Sequence, residues 1–158
     1  MPNTPEGTGT VVGLRSSTAT PQHLARAAVE GVTFGLRYGF DRLRELGTSA
    51  ERICLIGGGS RSPAWRQVVA DVFGTTVVAP VVEEGPAFGA ALQAGWCVRG
   101  GAIQDLVNDS FELDPDKECH PNPANREKYE ETYLLYCRLS EELRRSDIFP
   151  AHRNLIGG

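Results

Sequence analysis

Between residues 51 and 74 the chain runs ERICLIGGGSRSPAWRQVVADVFG, where Gly57, Gly58 and Gly59 separate a short apolar run from a stretch with helical periodicity. Ile53-Cys54-Leu55-Ile56 is the kind of run that forms a strand buried on both faces. Ser62 is a favourable N-cap and Pro63 a favourable first helical residue. Trp65, Val68, Val69, Val72 and Phe73 then recur at helical spacing until Gly74. Strand, glycine turn and helix in this order place the chain in the α/β class.

A helix N-terminus presents unpaired amides and the positive end of its dipole to whatever lies above the strand, and a turn without side chains lets a ligand approach the backbone. A nucleotide is the guest that suits such a place. A tight turn packed on a neighbouring side chain needs the same glycines, and a short glycine motif by itself does not separate the two readings.

The flanks extend the pattern. Residues 1–20 carry Pro, Gly, Thr and Ser and read as an extended lead-in anchored by Val11, Val12 and Leu14. Thr20 and Pro21 open a helix predicted over 21–46, in which Ala27, Gly31, Gly35 and Gly39 repeat every four residues. Interior glycines cost about 0.5–1 kcal/mol each relative to alanine, so this stripe predicts a close neighbour. The β-branched run TTVVAPVV predicts a second strand over 75–79, parallel to one over 52–56. Helices are predicted over 62–73, 84–98 and 124–145, a loop over 100–124, and a tail over 146–158. Tyr129, Tyr133, Tyr136, Leu139 and Leu143 share a face of the last helix, as a packing stripe. The nucleotide-binding domain is thus expected over 21–145.

Composition narrows the partners. A net charge of -4, with no basic cluster larger than Arg144-Arg145, argues against nucleic acid and anionic membranes. Cys54, Cys97, Cys119 and Cys137 fit no zinc or redox spacing, so no metal site is expected; Cys54, Cys97 and Cys137 read as small buried hydrophobes. No apolar run approaches membrane-spanning length and the N-terminus lacks a signal-peptide core, which points to the cytoplasm.

Two nucleotide folds can be weighed on these residues. A dinucleotide-binding, Rossmann-type fragment would start this way, with Glu83 as a ribose ligand, but its fingerprint requires glycine or alanine where Ser62 stands. The Walker motif is missing, since no Gly-Lys-Ser or Gly-Lys-Thr occurs. A third, non-catalytic reading is an interaction module that uses an exposed sheet edge.

The segments TPEGTGTVVGL, LARAAVEGVTFGLRYGFDRLRELG, ICLIGGGSRSPAWRQVVADVFG, EEGPAFGAALQA and HPNPANREKYEETYLLYCRLSEEL, in this order, resemble the C-terminal part of the xylulose kinases of the FGGY carbohydrate kinase family. The resemblance implies an actin/hexokinase-type (ribonuclease H-like) ATPase domain lacking its first strands. It implies ATP and ADP as ligands, Mg2+ with the nucleotide, and xylulose or a related ketopentose or polyol as acceptor, held by an N-terminal domain. By position, Gly58, Gly59 and Ser60 would line the adenosine through backbone contacts while Arg61 and Pro63 flank it, although Arg61 also fits a solvated side chain. The helix beginning at Glu84, with Gly85 and Gly89, would pack close by.

No catalytic residue is expected in this chain, because the family's aspartate base belongs to the N-terminal domain. Asp71 in the second helix and Asp105, Asp109, Asp114 and Asp116 in the loop read as solvated charges or caps. With the leading strands missing, an apolar sheet edge and self-association are expected.

Overall fold

The computed structural model describes Pro5 and residues 7–156, Ile156 in backbone only, and divides into two compact units, residues 50–123 and residues 1–49 with 124–158. Parts of the expected lead-in and tail, residues 1–4, 6, 157 and 158, lie outside the described residues.

In the unit of residues 50–123, β1 (Arg52–Cys54) and β2 (Thr76–Val78) pair in parallel, with Ile53 opposite Val77. Parallel neighbours need a crossover. Here it is α2 (Pro63–Phe73), which starts where the Ser62 hydroxyl accepts a hydrogen bond from the Trp65 amide and stops at Gly74. Val69 and Ala70 on α2 and Val77 on β2 form the buried centre, and Ile53, Leu55, Trp65, Phe73 and Cys119 pack around it.

Ile53 and Leu55 face that centre, but Cys54 is exposed and Ile56 is 58% exposed. The expected burial of this strand on both faces is therefore corrected to burial on one. A second buried face needs a second covering layer, and among the described residues the side of β1 that carries Cys54 has none. Cys97, on α3 (Gly85–Arg99), is also exposed and is no core residue.

The far side of β2 is occupied. Val77 and Cys119 exchange two backbone hydrogen bonds of 2.9 Å, and Leu113 bridges antiparallel to Pro80. The outer edge of β1 has no strand partner among the described residues.

The predicted loop over 100–124 contains a further helix, α4 (Ile103–Ser110). Ile103, Leu106 and Val107 supply one and a half turns of helical periodicity, which the surrounding Asp, Asn and Ser residues mask in the sequence. Leu106 packs on α3 at Gly95, where an added Cβ would stand 3.4 Å from its methyl group, and the Trp96 indole donates to the Gly101 carbonyl at 2.8 Å.

The other unit contains α1 (Pro21–Glu45), α5 (Arg126–Arg145) and α6 (Ile148–Ile156). The last of these lies in the stretch expected to be a tail. Thr20 caps α1, accepting from the His23 amide, as its place before Pro21 predicts. The buried ring of Phe34 on α1 meets Tyr129, Tyr133 and Tyr136 on α5, with centroids 6.3, 6.0 and 5.5 Å away. The tyrosine stripe is thus a packing face. Its hydroxyls are served at the rim: Tyr129 donates to Glu30 and accepts from Arg26, and Tyr133 donates to Asp41 at 2.7 Å.

The small-residue stripe of α1 is approached at Gly35, where an added Cβ would lie 3.4 Å from the Tyr136 hydroxyl; Gly31 and Gly39 meet nothing within 4 Å. Val11, Val12 and Leu14, expected as anchors, are exposed. Among the described residues no helix is long and apolar enough to cross a membrane.

Candidate nucleotide site

The chain leaves β1 through Leu55 and Ile56, turns at Gly57, makes one 3-10 turn over Gly58–Arg61, and enters α2 through Ser62. The three glycines have three separate causes. Gly57 holds φ +83°, a backbone region that residues with a Cβ rarely adopt. At the exposed Gly58 a Cβ would meet nothing within 4 Å. At Gly59 it would fall 1.5 Å from Cζ3 of Trp65, whose ring lies across the glycine.

Ser60 is 3% exposed. Its hydroxyl and its amide both donate to the Gly57 carbonyl, at 2.7 and 3.0 Å, and its own carbonyl accepts from Arg66 Nη1 at 2.6 Å. Ser60 thus fastens the turn from within. Gly58 and Gly59, the first residues of the turn, have amides without an acceptor inside it. Pro63 is exposed at the first position of α2, beside this opening.

Arg61 is engaged in ion pairs. Its guanidinium reaches Glu83 at 2.8 Å and Glu84 at 3.0 Å, and Glu83 in turn receives Lys117 at 3.1 Å, which also pairs with Asp114 at 3.2 Å. The hydrogen bond from Lys117 holds the Glu83 carboxyl below the usual glutamate range, and the same bond holds the Lys117 ammonium above the usual lysine value. Each exposed pair is worth little by itself. Together they tie the glycine turn to the start of α3 and to the 114–117 segment. Gly85 comes close as well, since a Cβ there would lie 3.7 Å from Ile56 Cδ1, whereas Gly89 has open space.

Sequence reasoning missed Arg66 and Lys117. A lone arginine on an amphipathic helix carries no sign that it points inward, and Lys117 is 34 residues from the glutamate it serves.

Asp71 is buried, and so is not the solvated charge expected of it. Its Oδ1 accepts from Gln67 Nε2 and from the Asn122 amide, both at 2.8 Å, which fixes the chain after β2 to α2. Asp114 caps a short 3-10 turn, as expected of a residue in its place, while Asp105, Asp109 and Asp116 are exposed.

The arrangement has known counterparts. A xylulose kinase of Escherichia coli is 40% identical over 142 residues, 89% of this chain and 29% of that protein. A xylulose kinase of Haemophilus influenzae is 38% identical over 136 residues, 86% of this chain and 28% of that protein. Among solved structures, the xylulose kinase of Rhodospirillum rubrum superposes with a TM-score of 0.74 at 28% identity, over 90% of this chain and 28% of that one. A ligand-bound xylulose kinase of Lactobacillus acidophilus gives 0.77 at 23% identity and shares the fold, over 89% of this chain and 28% of that one. The α/β arrangement is therefore the C-terminal part of an actin/hexokinase-type domain, and the chain spans a little over a quarter of the length of these relatives. The family model described as the FGGY family of carbohydrate kinases, C-terminal domain, matches residues 2–98, more than half of the sequence, and the chain with its glycine turn belongs to that family.

Proposed function

We propose that this chain is the nucleotide-binding C-terminal portion of a cytoplasmic carbohydrate kinase that transfers the γ-phosphoryl group of MgATP to D-xylulose or a related ketopentose or polyol. The observation that carries the reading is the turn at the end of β1. It has an open Gly58, two amides without acceptors inside the turn, and the N-terminus of α2 directly behind it. The names of the relatives support the sugar. Gly58 and Gly59 would meet the adenosine through backbone contacts, with Ser60 holding the turn in shape and Arg61 and Pro63 at its edges. Mg2+ would arrive with the triphosphate as part of the substrate, and the acidic groups nearest the turn, Glu83 and Glu84, are turned to Arg61.

Titration calorimetry tests the reading. ATP and ADP should bind weakly, with no dependence on xylulose and no competition from NAD. Tight NAD binding with none for ATP would favour the dinucleotide reading instead.

The open edge of β1 and the exposed Ile56 favour self-association of the isolated chain. Sedimentation velocity over a concentration series should show a rising sedimentation coefficient. A constant monomer value contradicts this.

A further inference from the structure

Arg66 is the most deeply buried cationic side chain that the description of the turn leaves without a counter-charge. It is 6% exposed, its Nη1 donates to the Ser60 carbonyl at 2.6 Å, and its Nε has no hydrogen-bond partner among the described residues. Arg61, on the same turn, differs, since it has two carboxylates. Burying a charge is costly unless it is paired, so a guanidinium whose Nε makes no hydrogen bond adds little net stability. Stability therefore gives a weak account of this residue.

Its position gives a better one. Ser60 joins the Arg66 guanidinium to the Gly57 carbonyl, the carbonyl that anchors the start of the 3-10 turn. The Arg66 amide donates to the Ser62 carbonyl at 3.0 Å, the first backbone bond of α2, so the side chain that reaches Ser60 springs from a fixed backbone. A planar guanidinium bonding a carbonyl fixes its direction better than a flexible ammonium does.

We propose that Arg66 is a positioning residue for the nucleotide. Its guanidinium fixes the Ser60 carbonyl, and with it the direction of the Gly58 and Gly59 amides that would meet the adenosine. This rests on the nucleotide reading of the turn proposed above.

The test uses the full chain and a fluorescent ADP analogue followed by anisotropy, with thermal unfolding followed by circular dichroism. Arg66→Met should weaken binding by about tenfold or more, the loss expected for one charge-assisted hydrogen bond, while its melting temperature changes little, the lost bond being offset by removal of the buried charge. Arg66→Lys keeps a donor and the charge and should lose less affinity than Arg66→Met. Phe34→Ala, on α1 and outside the unit that carries the turn, should lower the melting temperature and leave affinity unchanged while the chain remains folded. Equal affinity of the Arg66→Met variant and the parent overturns the proposal and leaves the nucleotide reading intact. So does a series in which affinity simply follows melting temperature across Arg66→Lys, Arg66→Met and Phe34→Ala. Absence of analogue binding by the parent chain removes the nucleotide reading itself, and this inference with it.

Discussion

Incubated with xylulose and MgATP, the purified 158-residue chain should release no sugar-dependent ADP. Phosphoryl transfer needs the nucleotide, the metal and a base or positioning group to converge on the γ-phosphate. The aspartates considered for this chain are otherwise occupied or misplaced: Asp71 is buried and engaged with Gln67 and Asn122, Asp114 is paired with Lys117, and Asp105, Asp109 and Asp116 are exposed in or after α4. A missing general base alone removes about 10² to 10⁴ in rate. Loss of the surface that would orient the sugar removes a further factor worth several kcal/mol, of the order reported for well-oriented reactants. Adding a separately produced N-terminal portion from one of the xylulose kinase relatives should restore turnover, provided that the two pieces dock. The measurement is a coupled ADP assay on chain free of contaminating kinase, with xylulose omitted as the control. Sugar-dependent ADP release by the chain alone would sink the reading of it as one portion of the enzyme.

The second large effect concerns Gly59. From the sequence, valine there is expected to abolish nucleotide binding and leave the helix content nearly unchanged. The structure adds a cost in packing. A Cβ at 59 would fall 1.5 Å from Cζ3 and 2.1 Å from Cε3 of Trp65, and the ring that must move packs against the cluster of Val69, Ala70 and Val77. Gly59→Val should therefore cost about 1–3 kcal/mol, the usual range for forcing extra carbon into a packed site, and should shift the tryptophan emission as the ring is displaced. Gly58→Val is the cleaner probe of the ligand, since a Cβ there meets nothing within 4 Å. It should leave the free energy of unfolding by urea within about 0.5 kcal/mol of the parent while reducing nucleotide affinity. An unchanged midpoint for Gly59→Val would show that Trp65 does not rest on the turn in solution.

The two variants also mark how far the sequence could be read. The order of α1, β1, α2, β2, α3 and α5, the parallel pairing of β1 with β2 and the start of α2 at Ser62-Pro63 follow from capping chemistry and periodicity, which act over a few residues, whereas α4 and α6 are too short for that signal to stand out. The tyrosine face of α5 followed from the same kind of signal. What escaped depends on contacts between residues far apart in the chain. Lys117 under Glu83, Cys119 beside Val77 and the inward direction of Arg66 are decided by tertiary packing, which a helical or alternating pattern does not encode. Three glycines in succession look like one signal, yet they answer a backbone angle at Gly57, an open approach at Gly58 and an indole ring at Gly59. Cys54 and Ile56 were misjudged for the opposite reason: an apolar run reports what a strand can tolerate on its faces, not how many faces are covered.

The antiparallel pairing of Cys119 with Val77 carries a topological consequence. With that flank of β2 closed, a strand added directly to this parallel pair can join only at β1, alongside Arg52, Ile53 and Cys54. A strand laid there makes β1 an inner strand, with β2 and the 112–119 segment on its other side. The glycine turn, which leaves β1 at its C-terminal end, then sits in the interior of the ladder rather than at its border. A nucleotide resting there would be flanked by backbone from both halves of the finished sheet.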